Sequence, residues 1–294
     1  MKFVFIDAQA AKKAFPVVFM CHLLEVSCSG FYAWRSRPVS ARQSSDLALS
    51  RLITTLFDEH KGRYGVRRIH AELSKTGHRV GYKRVQRLMK QLGLRSVHPR
   101  PFKRTTLPSA PAAHLLDLVL RQVHPAGPNQ TWVGDITYIG TWTGWAYLAT
   151  VIDCHSRKVI GWSIADHMRT DLIIDALDMA IKNRHPAAGV IFHSDRGSQY
   201  TSERFRNFCG ANNVRPSVGK TGICYDNAVA ESFFATIKKE LVHLRPWPTL
   251  ARLSTALFDY IETYFNRKRR HSTLDYLTPQ EYELEFDKEV LKAA

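Results

Sequence analysis

The order of β-rich and helical runs after residue 129 constrains the fold most. Three β-rich runs, QTWVGDITYIG, GWAYLATVID and RKVIGWSIA, follow one another with short turns between them. An amphipathic helix, an apolar strand (AGVIFHSD), a second helix, a short strand and a long helix come next. Short turns favour antiparallel neighbours, and helices between strands favour crossovers. The sequence therefore predicts a mixed five-stranded sheet flanked by helices over residues 129–245.

Three acidic residues fall at key places in this predicted sheet. Asp135 lies in the first strand, Asp195 ends the fourth, and Glu231 lies in the first turn of the long helix. The first and fourth strands are neighbours in a sheet of this order, so the two Asp side chains can meet. A helix packed across the sheet can bring the Glu to the same place. A lone Asp at a strand end is also typical of a turn or a cap, and Asp153 is interpreted as a turn residue.

The chemistry of three gathered carboxylates favours a metal site. Without compensating cations, such acids repel one another and protonate. Mg²⁺ prefers hard oxygen ligands, and two ions about 3.5–4 Å apart can clamp the attacking and leaving oxygens of a phosphoryl displacement. We therefore expect Asp135, Asp195 and Glu231 to be catalytic acids that hold two Mg²⁺ ions in one active site.

Four polar residues near these acids each have two interpretations. Lys238 lies two helical turns after Glu231 on nearly the same face, where it could contact a DNA phosphate or be solvated. His193 could orient a ligand or be a packed residue. Asn227 could support the site or cap the long helix, and Asp226 is either a loop residue or a neighbour of the metals.

The positive charge is concentrated in the first third of the chain. The net charge is +16, and residues 1–110 hold 21 Lys+Arg against 6 Asp+Glu. Residues 111–294 hold 21 and 20. This asymmetry favours a polyanion partner, DNA or RNA. A basic protein with no such partner is the alternative.

The basic third is interpreted as two helical, helix-turn-helix-like DNA-binding units, residues 1–44 and 45–100, before a Pro-rich basic linker, 101–128. Residues 129–245 would form the catalytic core, and residues 246–294 a helical, basic extension. Side chains expected to face DNA are Arg35, Arg67, Arg68, Lys83, Arg84, Arg87 and Lys90 in the two units, and Arg267, Arg269 and Arg270 in the extension. A solvated basic face is the other interpretation of these residues.

Two local signals predict helix starts. Thr170 precedes an amphipathic run and is predicted to cap it. The stretch TPQE, residues 278–281, has the spacing of a capping box with Pro at the first helical position.

Cellular location is indicated by absences in the sequence. No apolar run reaches the roughly 18 residues that a membrane span needs, and the first residues do not form a secretory signal. The five cysteines include no C-x-x-C pair, which fits a reducing cytosol. We therefore expect a cytoplasmic protein with no membrane partner.

Several blocks of the chain resemble the transposases of the insertion-sequence-three family, specifically the product of the second reading frame. They are WVGDITYI, GWAYLATVIDCHSRKVIGWSI, HSDRGSQYTS, CYDNAVAESFFATIKKE and YFNRKRRHSTLDYLTPQEY, in this order. Two further segments, YGVRRIHAEL and VGYKRVQRLMKQLGL, resemble the helix-turn-helix-like region before the integrase core. The resemblance covers nearly the whole chain.

The resemblance implies a ribonuclease H-like DDE core, an α/β fold related to retroviral integrases. The metal-binding acids would be Asp135, Asp195 and Glu231, with Lys238 as the basic residue that follows the Glu. It implies Mg²⁺, with Mn²⁺ able to substitute, and a reaction in which DNA is nicked at a transposon end and the freed 3′-OH is used in strand transfer.

The implied partners are double-stranded DNA, both terminal inverted repeats and target, and further copies of the chain in at least a dimer on DNA. The upstream-frame protein is a possible fusion or partner, and the location would be the bacterial nucleoid. Two other functions remain open: a DNA-binding regulator of transposition that is inactive without the upstream-frame fusion, and a nuclease of the same fold that acts on RNA in hybrids. Metal-dependent nicking separates the enzyme from the regulator.

Overall fold

The computed structural model describes residues 2–97, 125–219 and 228–293. Its first part is helical, and its second part is a five-stranded sheet with helices on both faces. The bounds of the six N-terminal helices are α1 Lys2–Ala11, α2 Val17–Leu23, α3 Cys28–Arg35, α4 Ala41–Glu59, α5 Val66–Lys75 and α6 Tyr82–Gln91.

The first helical unit, α1–α3, has a core formed by its own residues, Ile6, Met20, Cys21 and Phe31. Helix α3 begins after Ser27, whose hydroxyl accepts the backbone N–H of Gly30 at 3.3 Å. Among the described residues no single helix is long and apolar enough to cross a membrane, and α2 and α3 together reach that length only across a bend of 117°.

The apolar spacing of α4–α6 predicts a core that the structure largely confirms, but Leu92 is 41% exposed although the spacing places it with Val85, Leu88 and Met89. Leu49 and Ile53 of α4, Leu73 of α5, and Val85 and Leu88 of α6 are buried. Helix α4 begins at Ala41, where the Ser40 hydroxyl caps it by accepting the N–H of Gln43. These core residues belong to one cluster with residues of the sheet and of the C-terminal segment.

The sheet has the strand order β3-β2-β1-β4-β5. Strands β1, β2 and β3 pair antiparallel, and β4 pairs parallel with both β1 and β5. This confirms the predicted mixed sheet, including the adjacency of the first and fourth strands. The bounds are β1 Thr131–Thr141, β2 Gly144–Asp153, β3 Val159–Ala165, β4 Ile191–Ser194 and β5 Arg215–Val218.

Helices cover both faces of the sheet, as the ribonuclease H-like element order predicts. Helices α7 (Thr170–Arg184) and α8 (Glu203–Ala211) contribute to one core, and α9 (Ala228–Glu240) contributes to the other. Helix α7 packs backbone against backbone on β3 at Gly161. A Cβ atom there would lie 2.1 Å from the carbonyl oxygen of Ala176, so the helix can come this close only over a glycine.

The two predicted helix starts have different outcomes. The capping box is confirmed: the Thr278 hydroxyl accepts the N–H of Glu281 at 3.2 Å, and the Glu281 carboxylate accepts the N–H of Thr278 at 3.1 Å. The Thr170 cap is wrong. Helix α7 begins at Thr170 itself after extended Arg169, because the Thr170 hydroxyl donates to the Ser202 hydroxyl at 3.4 Å and caps nothing in its own helix.

The C-terminal segment packs on the sheet and on the second helical unit. Helix α10 (Leu250–Phe258) runs directly into a π-helical turn, Asp259–Phe265, and α11 (Pro279–Ala293) follows. After the turn, the Asn266 side chain accepts the N–H of Val159 at 3.0 Å and donates to its carbonyl at 2.8 Å. A side-chain amide thus pairs with β3 as a strand residue would.

Candidate active site

Parallel pairing brings two of the predicted acids together. Val133 of β1 pairs with His193 of β4, and Asp135 and Asp195 each lie two residues further along. The two acids therefore follow the last paired residues by the same distance along the chain, with Asp135 inside β1 and Asp195 one residue past the end of β4. Burial raises the pKa of the Tyr200 phenol well above its usual range, and the nearby Asp135 and Asp195 carboxylates raise it further, so both acids lie close to this one ring.

Backbone N–H groups hold both carboxylates. The N–H of Ile136 donates to Asp135 Oδ1 at 2.8 Å, and the N–H of Gly197 donates to Asp195 Oδ1 at 3.0 Å. Asp195 is exposed and Asp135 is half-buried. The pair is thus oriented by main chain yet remains accessible to a large substrate.

Gly134, the residue before Asp135 on β1, leaves room for the Phe192 ring of β4. A Cβ atom on Gly134 would lie 2.2 Å from the ring of Phe192. The Phe192 ring therefore crosses β1 at the residue before Asp135, and Phe192 itself comes three residues before Asp195. Sequence reasoning gave Gly134 no role, although a glycine inside a strand often marks such a close approach.

Lys238 lies near Asp135. Burial lowers the pKa of its ammonium group, while the Asp135 carboxylate acts in the opposite direction. Its Nζ atom is 5.5 Å from the centre of the Tyr138 ring, further along β1. Two turns of helix α9 beyond Glu231, a cation is therefore available for an anion that approaches Asp135.

The third acid, Glu231, is not gathered with the other two. It is exposed in the first turn of α9. Within residues 2–97, 125–219 and 228–293, no three acidic, histidine or cysteine side chains lie close enough to hold one metal ion. The expected convergence of three carboxylates is therefore absent from the described geometry. Asp226 and Asn227, just before α9, lie outside the described residues.

Two carboxylates are nevertheless a suitable donor set for Mg²⁺. This ion usually keeps several waters and binds through one or two carboxylates together with substrate phosphates. Asp135 and Asp195 supply hard oxygen ligands at one accessible point. The residues present therefore fit the expected metal.

Asp153, the acid that competes with these candidates in the sequence, has a structural role. It is fully buried. Its carboxylate accepts the N–H groups of Asn129 at 2.7 Å, His155 at 2.9 Å and Ser156 at 3.2 Å. The interpretation of Asp153 as a turn residue is confirmed.

Three known families match parts of the chain. The family described as "Integrase core domain" matches residues 125–224, and a second family of that description matches residues 231–285. The "HTH-like domain" family matches residues 44–102. The chain is 39% identical over 289 residues to the transposase InsF for insertion sequence IS3A of Escherichia coli strain K12, covering 96% of this chain and 98% of the relative. It belongs to the IS3 family of insertion-sequence transposases.

Further relatives of this IS3-family transposase span most of its length. The transposase for insertion sequence element IS904 of Lactococcus lactis is 40% identical over 248 residues, covering 84% of this chain and 98% of the relative. Among solved structures, a simian T-cell lymphotropic virus intasome in complex with a PP2A regulatory subunit has a TM-score of 0.45 at 18% identity, covering 71% of this chain and 68% of the other. The HTLV-2 integrase catalytic core in complex with magnesium has a TM-score of 0.41 at 20% identity, covering 54% and 98%.

In this transposase His193 joins two strands. It is buried, and its Nδ1 atom lies 2.9 Å from the hydroxyl of Ser217 on β5. Contact across β4 and β5 suits a residue that holds the strand end on which Asp195 is placed.

The basic residues of the helical units divide into exposed side chains and ion-paired ones. Arg84 and Arg87 of α6 both bond to Asp46, at 2.7 and 2.6 Å, and these two bonds lower the pKa of Asp46. Arg35 pairs with Asp7 at 3.2 Å. Arg35 is exposed despite this pair, and the other exposed basic side chains among the predicted DNA contacts are Arg67, Lys83, Lys90 and Arg267.

Two residues of the basic extension are not at the surface. Arg269 and Arg270 are only 5% and 6% exposed. Arg269 bonds to Glu240 at 2.8 Å, and Arg270 bonds to Glu72 at 2.6 Å. Arg68, which is half-buried, lies 3.6 Å from the same Glu240. The predicted DNA contact of Arg269 and Arg270 is corrected, because carboxylates from remote parts of the chain bind both guanidinium groups inside the protein.

Proposed function

We propose that this transposase nicks DNA at transposon ends and transfers the freed 3′-OH to target DNA in a metal-dependent reaction. One observation carries the proposal. Asp135 of β1 and Asp195, one residue past the end of β4, each lie two residues beyond the paired Val133 and His193, in a chain 39% identical to an IS3 transposase over 96% of its length.

Each residue near the pair has a proposed task. Asp135 and Asp195 would hold Mg²⁺ or Mn²⁺, with Glu231 as the third acid. Two bound ions would polarise the scissile phosphate and favour the ionised form of the attacking hydroxyl. Lys238, beside Asp135, would bind a neighbouring phosphate. Backbone N–H groups donate to Asp135 and Asp195 and orient both side chains before substrate binds. This preorganisation lowers the entropic cost of aligning the reacting groups.

The helical units supply a proposed duplex-binding surface. Exposed Lys83 and Lys90 lie on α6, the third helix of the second unit, and exposed Arg67 lies on α5. A basic last helix is the arrangement that reads a major groove. Terminal repeats and target DNA are the proposed ligands, with at least two copies of the chain on DNA, the upstream-frame protein as fusion or partner, and the bacterial nucleoid as the location.

The test is nicking and strand transfer on a labelled duplex that carries the terminal repeat of the element. Wild-type protein would be compared with Asp135→Asn, Asp195→Asn and Glu231→Gln. Each variant should bind the duplex as wild type does and lose on the order of 10²–10³-fold or more in cutting rate, as when a preorganised charge-stabilising group is removed.

Asp287→Asn is the matched control, because it makes the same chemical change at an exposed residue of α11. It should cut at the wild-type rate. If wild type binds the repeat without cutting in Mg²⁺ or Mn²⁺, the regulator hypothesis replaces the enzyme. If the Asp variants cut normally, the site assignment is wrong.

A further inference from the structure

Two exposed aromatic rings lie on the β1–β2 hairpin, whose first strand carries Asp135. Tyr138 of β1 is 61% exposed and Trp145 of β2 is 57% exposed. Their ring centroids are 5.2 Å apart at an interplanar angle of 87°. Exposed side chains of this size, placed together, mark a binding surface more often than scattered apolar residues do.

The two rings belong to one face of a two-stranded ribbon. Tyr138 pairs with Tyr147, and Gly140 pairs with Trp145, and residues that pair across antiparallel strands lie on the same face. Because Gly140 has no side chain, the indole of Trp145 is the only side chain of that pair. Tyr138 and Trp145 are defined here as the hairpin aromatic pair.

The ribbon extends past the rest of the sheet. Strand β1 pairs with β4 only over Thr131–Val133, whereas its pairing with β2 continues to Thr141. In the described part of the chain, the edge of β1 beyond Asp135 therefore has no strand on its β4 side. The tip is also anchored, since the N–H of Trp142 donates to the carbonyl of Trp247 at 3.0 Å. The aromatic pair is thus held on a fixed arm.

The charge next to the pair suits a nucleic acid strand. Lys238 Nζ lies 5.5 Å from the Tyr138 ring and is also close to Asp135. Three residues of strand separate Asp135 from Tyr138, or ~10 Å, a span of about three stacked nucleotides at ~3.4 Å each. The side chains of Asp135 and Tyr138 alternate to opposite faces of β1, and Lys238 is the cation that lies near both of them.

A cross-strand aromatic contact alone also stabilises a hairpin, by ~0.2–1 kcal/mol. Hairpin stability does not account for the position of this pair, however, because Tyr138 lies next to half-buried Lys238 and three residues after a candidate catalytic acid. Aromatic rings that bind nucleic acid stack on the faces of unpaired bases, and adjacent cations bind the phosphates.

We propose that the hairpin aromatic pair stacks on unpaired bases at the cleaved DNA end, while Lys238 binds the phosphate between those bases and the acids. The inference rests on the proposed function for the identity of the DNA. It adds that the substrate is opened by a few base pairs at the cut, and that the β1–β2 hairpin holds the opened strand.

The experiment measures binding without cutting, with full-length protein in EDTA. Two duplexes with the terminal repeat are compared, one fully paired and one with three unpaired nucleotides at the cleavage end. A 2-aminopurine base in the unpaired strand reports stacking through loss of its fluorescence. Wild type should bind the open end more tightly and quench the probe.

Trp145→Ala should reduce the preference for the open end about ten-fold and restore probe fluorescence, with paired-duplex affinity changed less than two-fold. Trp145→Phe should keep most of the preference, because a flat ring remains. Phe258→Ala, at a 54% exposed aromatic residue on α10, is the matched control and should change nothing. Thermal unfolding of each variant checks that it is folded.

The inference is overturned if Trp145→Ala weakens both duplexes equally, or neither, or leaves the probe quenched. A change in oligomeric state with DNA binding intact would instead identify the pair as a contact between copies. Failure of the proposed function is a separate result: wild type would quench the probe in EDTA yet not cut when Mg²⁺ is added.

Discussion

The two helical units that precede the sheet are attached to the protein in different ways. The unit α1–α3 has a core of its own residues, and Val18 and Leu23 of that unit are 65% and 68% exposed. The core of α4–α6 continues into that of the sheet and the C-terminal segment. One unit folds around itself, and the other is part of the catalytic body.

Tyr64 and a set of buried ion pairs attach the second helical unit, α4–α6, to the C-terminal segment. The Tyr64 hydroxyl donates to the carbonyl of Lys268 at 3.0 Å and accepts the N–H of Arg270 at 2.8 Å. Glu240, bound by Arg269, ends the helix α9 whose first turn carries Glu231. Duplex DNA on α6 would therefore lie at a fixed distance from the candidate active site. The core of the first unit, formed by its own residues, fixes no such distance.

The largest expected loss of stability comes from the ion pair that attaches the second helical unit, α4–α6. Arg269→Ala leaves Glu240 buried with Arg68 at 3.6 Å as its remaining close cation, and breaking a buried ion pair costs about 3–5 kcal/mol of unfolding free energy. Denaturant unfolding of the whole protein measures it. Lys268→Ala, at the exposed neighbour, should change stability by less than ~0.5 kcal/mol. A loss below ~1 kcal/mol for Arg269→Ala would contradict the role given to this ion pair.

A similar loss, confined to the first unit, is expected for Phe31→Ala. Phe31 is fully buried, and removal of a buried ring costs about 3–5 kcal/mol. Hydrogen exchange should show faster exchange in α1–α3 with unchanged protection in the sheet. Phe19→Ala, which removes a 53% exposed ring from the same unit, is the control. If protection from hydrogen exchange falls in the sheet as well as in α1–α3, the first unit is coupled to the rest of the protein as the second one is.

The smallest effect is a pH dependence at the junction. Burial lowers the pKa of His60 to about 4, against the opposing effect of Glu72 and with Arg270 and Arg63 adding to it. His60 also stacks on Tyr64. Neutral His60 is therefore favoured in the folded state. Its contribution to stability is present above pH ~6.5 and is lost as the pH falls from there towards about 4, by at most ~1.4 kcal/mol per pH unit.

His60→Phe tests this dependence. The pKa of half-buried His271 is lowered as well, so the informative quantity is the difference between wild type and variant. Unfolding free energies measured from pH 7 to pH 4 should fall less steeply in the variant. If the unfolding free energies of wild type and variant fall equally steeply with pH, His60 does not cause the pH dependence.

Most of the fold was predictable from local patterns in the sequence. Strand alternation and short turns identified β1–β3, and the helix between the third and fourth runs implied the crossover that makes β4 parallel to β1. From that order alone, Asp135 and Asp195 could be placed on adjacent strands. The capping box at Thr278 was also readable, because all its partners lie within four residues.

The features that could not be predicted depend on contacts between residues far apart in the sequence. The run of basic residues around Arg269 and Arg270 has the composition of a DNA-binding surface, but the carboxylates that bind them come from Glu240 and Glu72, 29 and 198 residues away. No local pattern reveals such a pairing. The position of Glu231 relative to the Asp pair likewise depends on how α9 approaches the sheet.

The π-helical turn at Asp259–Phe265 has a consequence for how this chain can evolve. A π turn holds one residue more than an α-helical turn, as the hydrogen bond from Asn266 to Ile261 at 3.1 Å shows. Because the π turn absorbs that extra residue, loss of a single codon there would restore a regular helix and leave the later residues facing as they do now, whereas loss of a codon in the α-helical stretch of α10 would rotate every later residue by ~100°. In that second case Asn266 and Arg269 would turn away from β3 and Glu240, so the π turn is a place where the chain can change length by one residue while the second helical unit stays attached to the sheet.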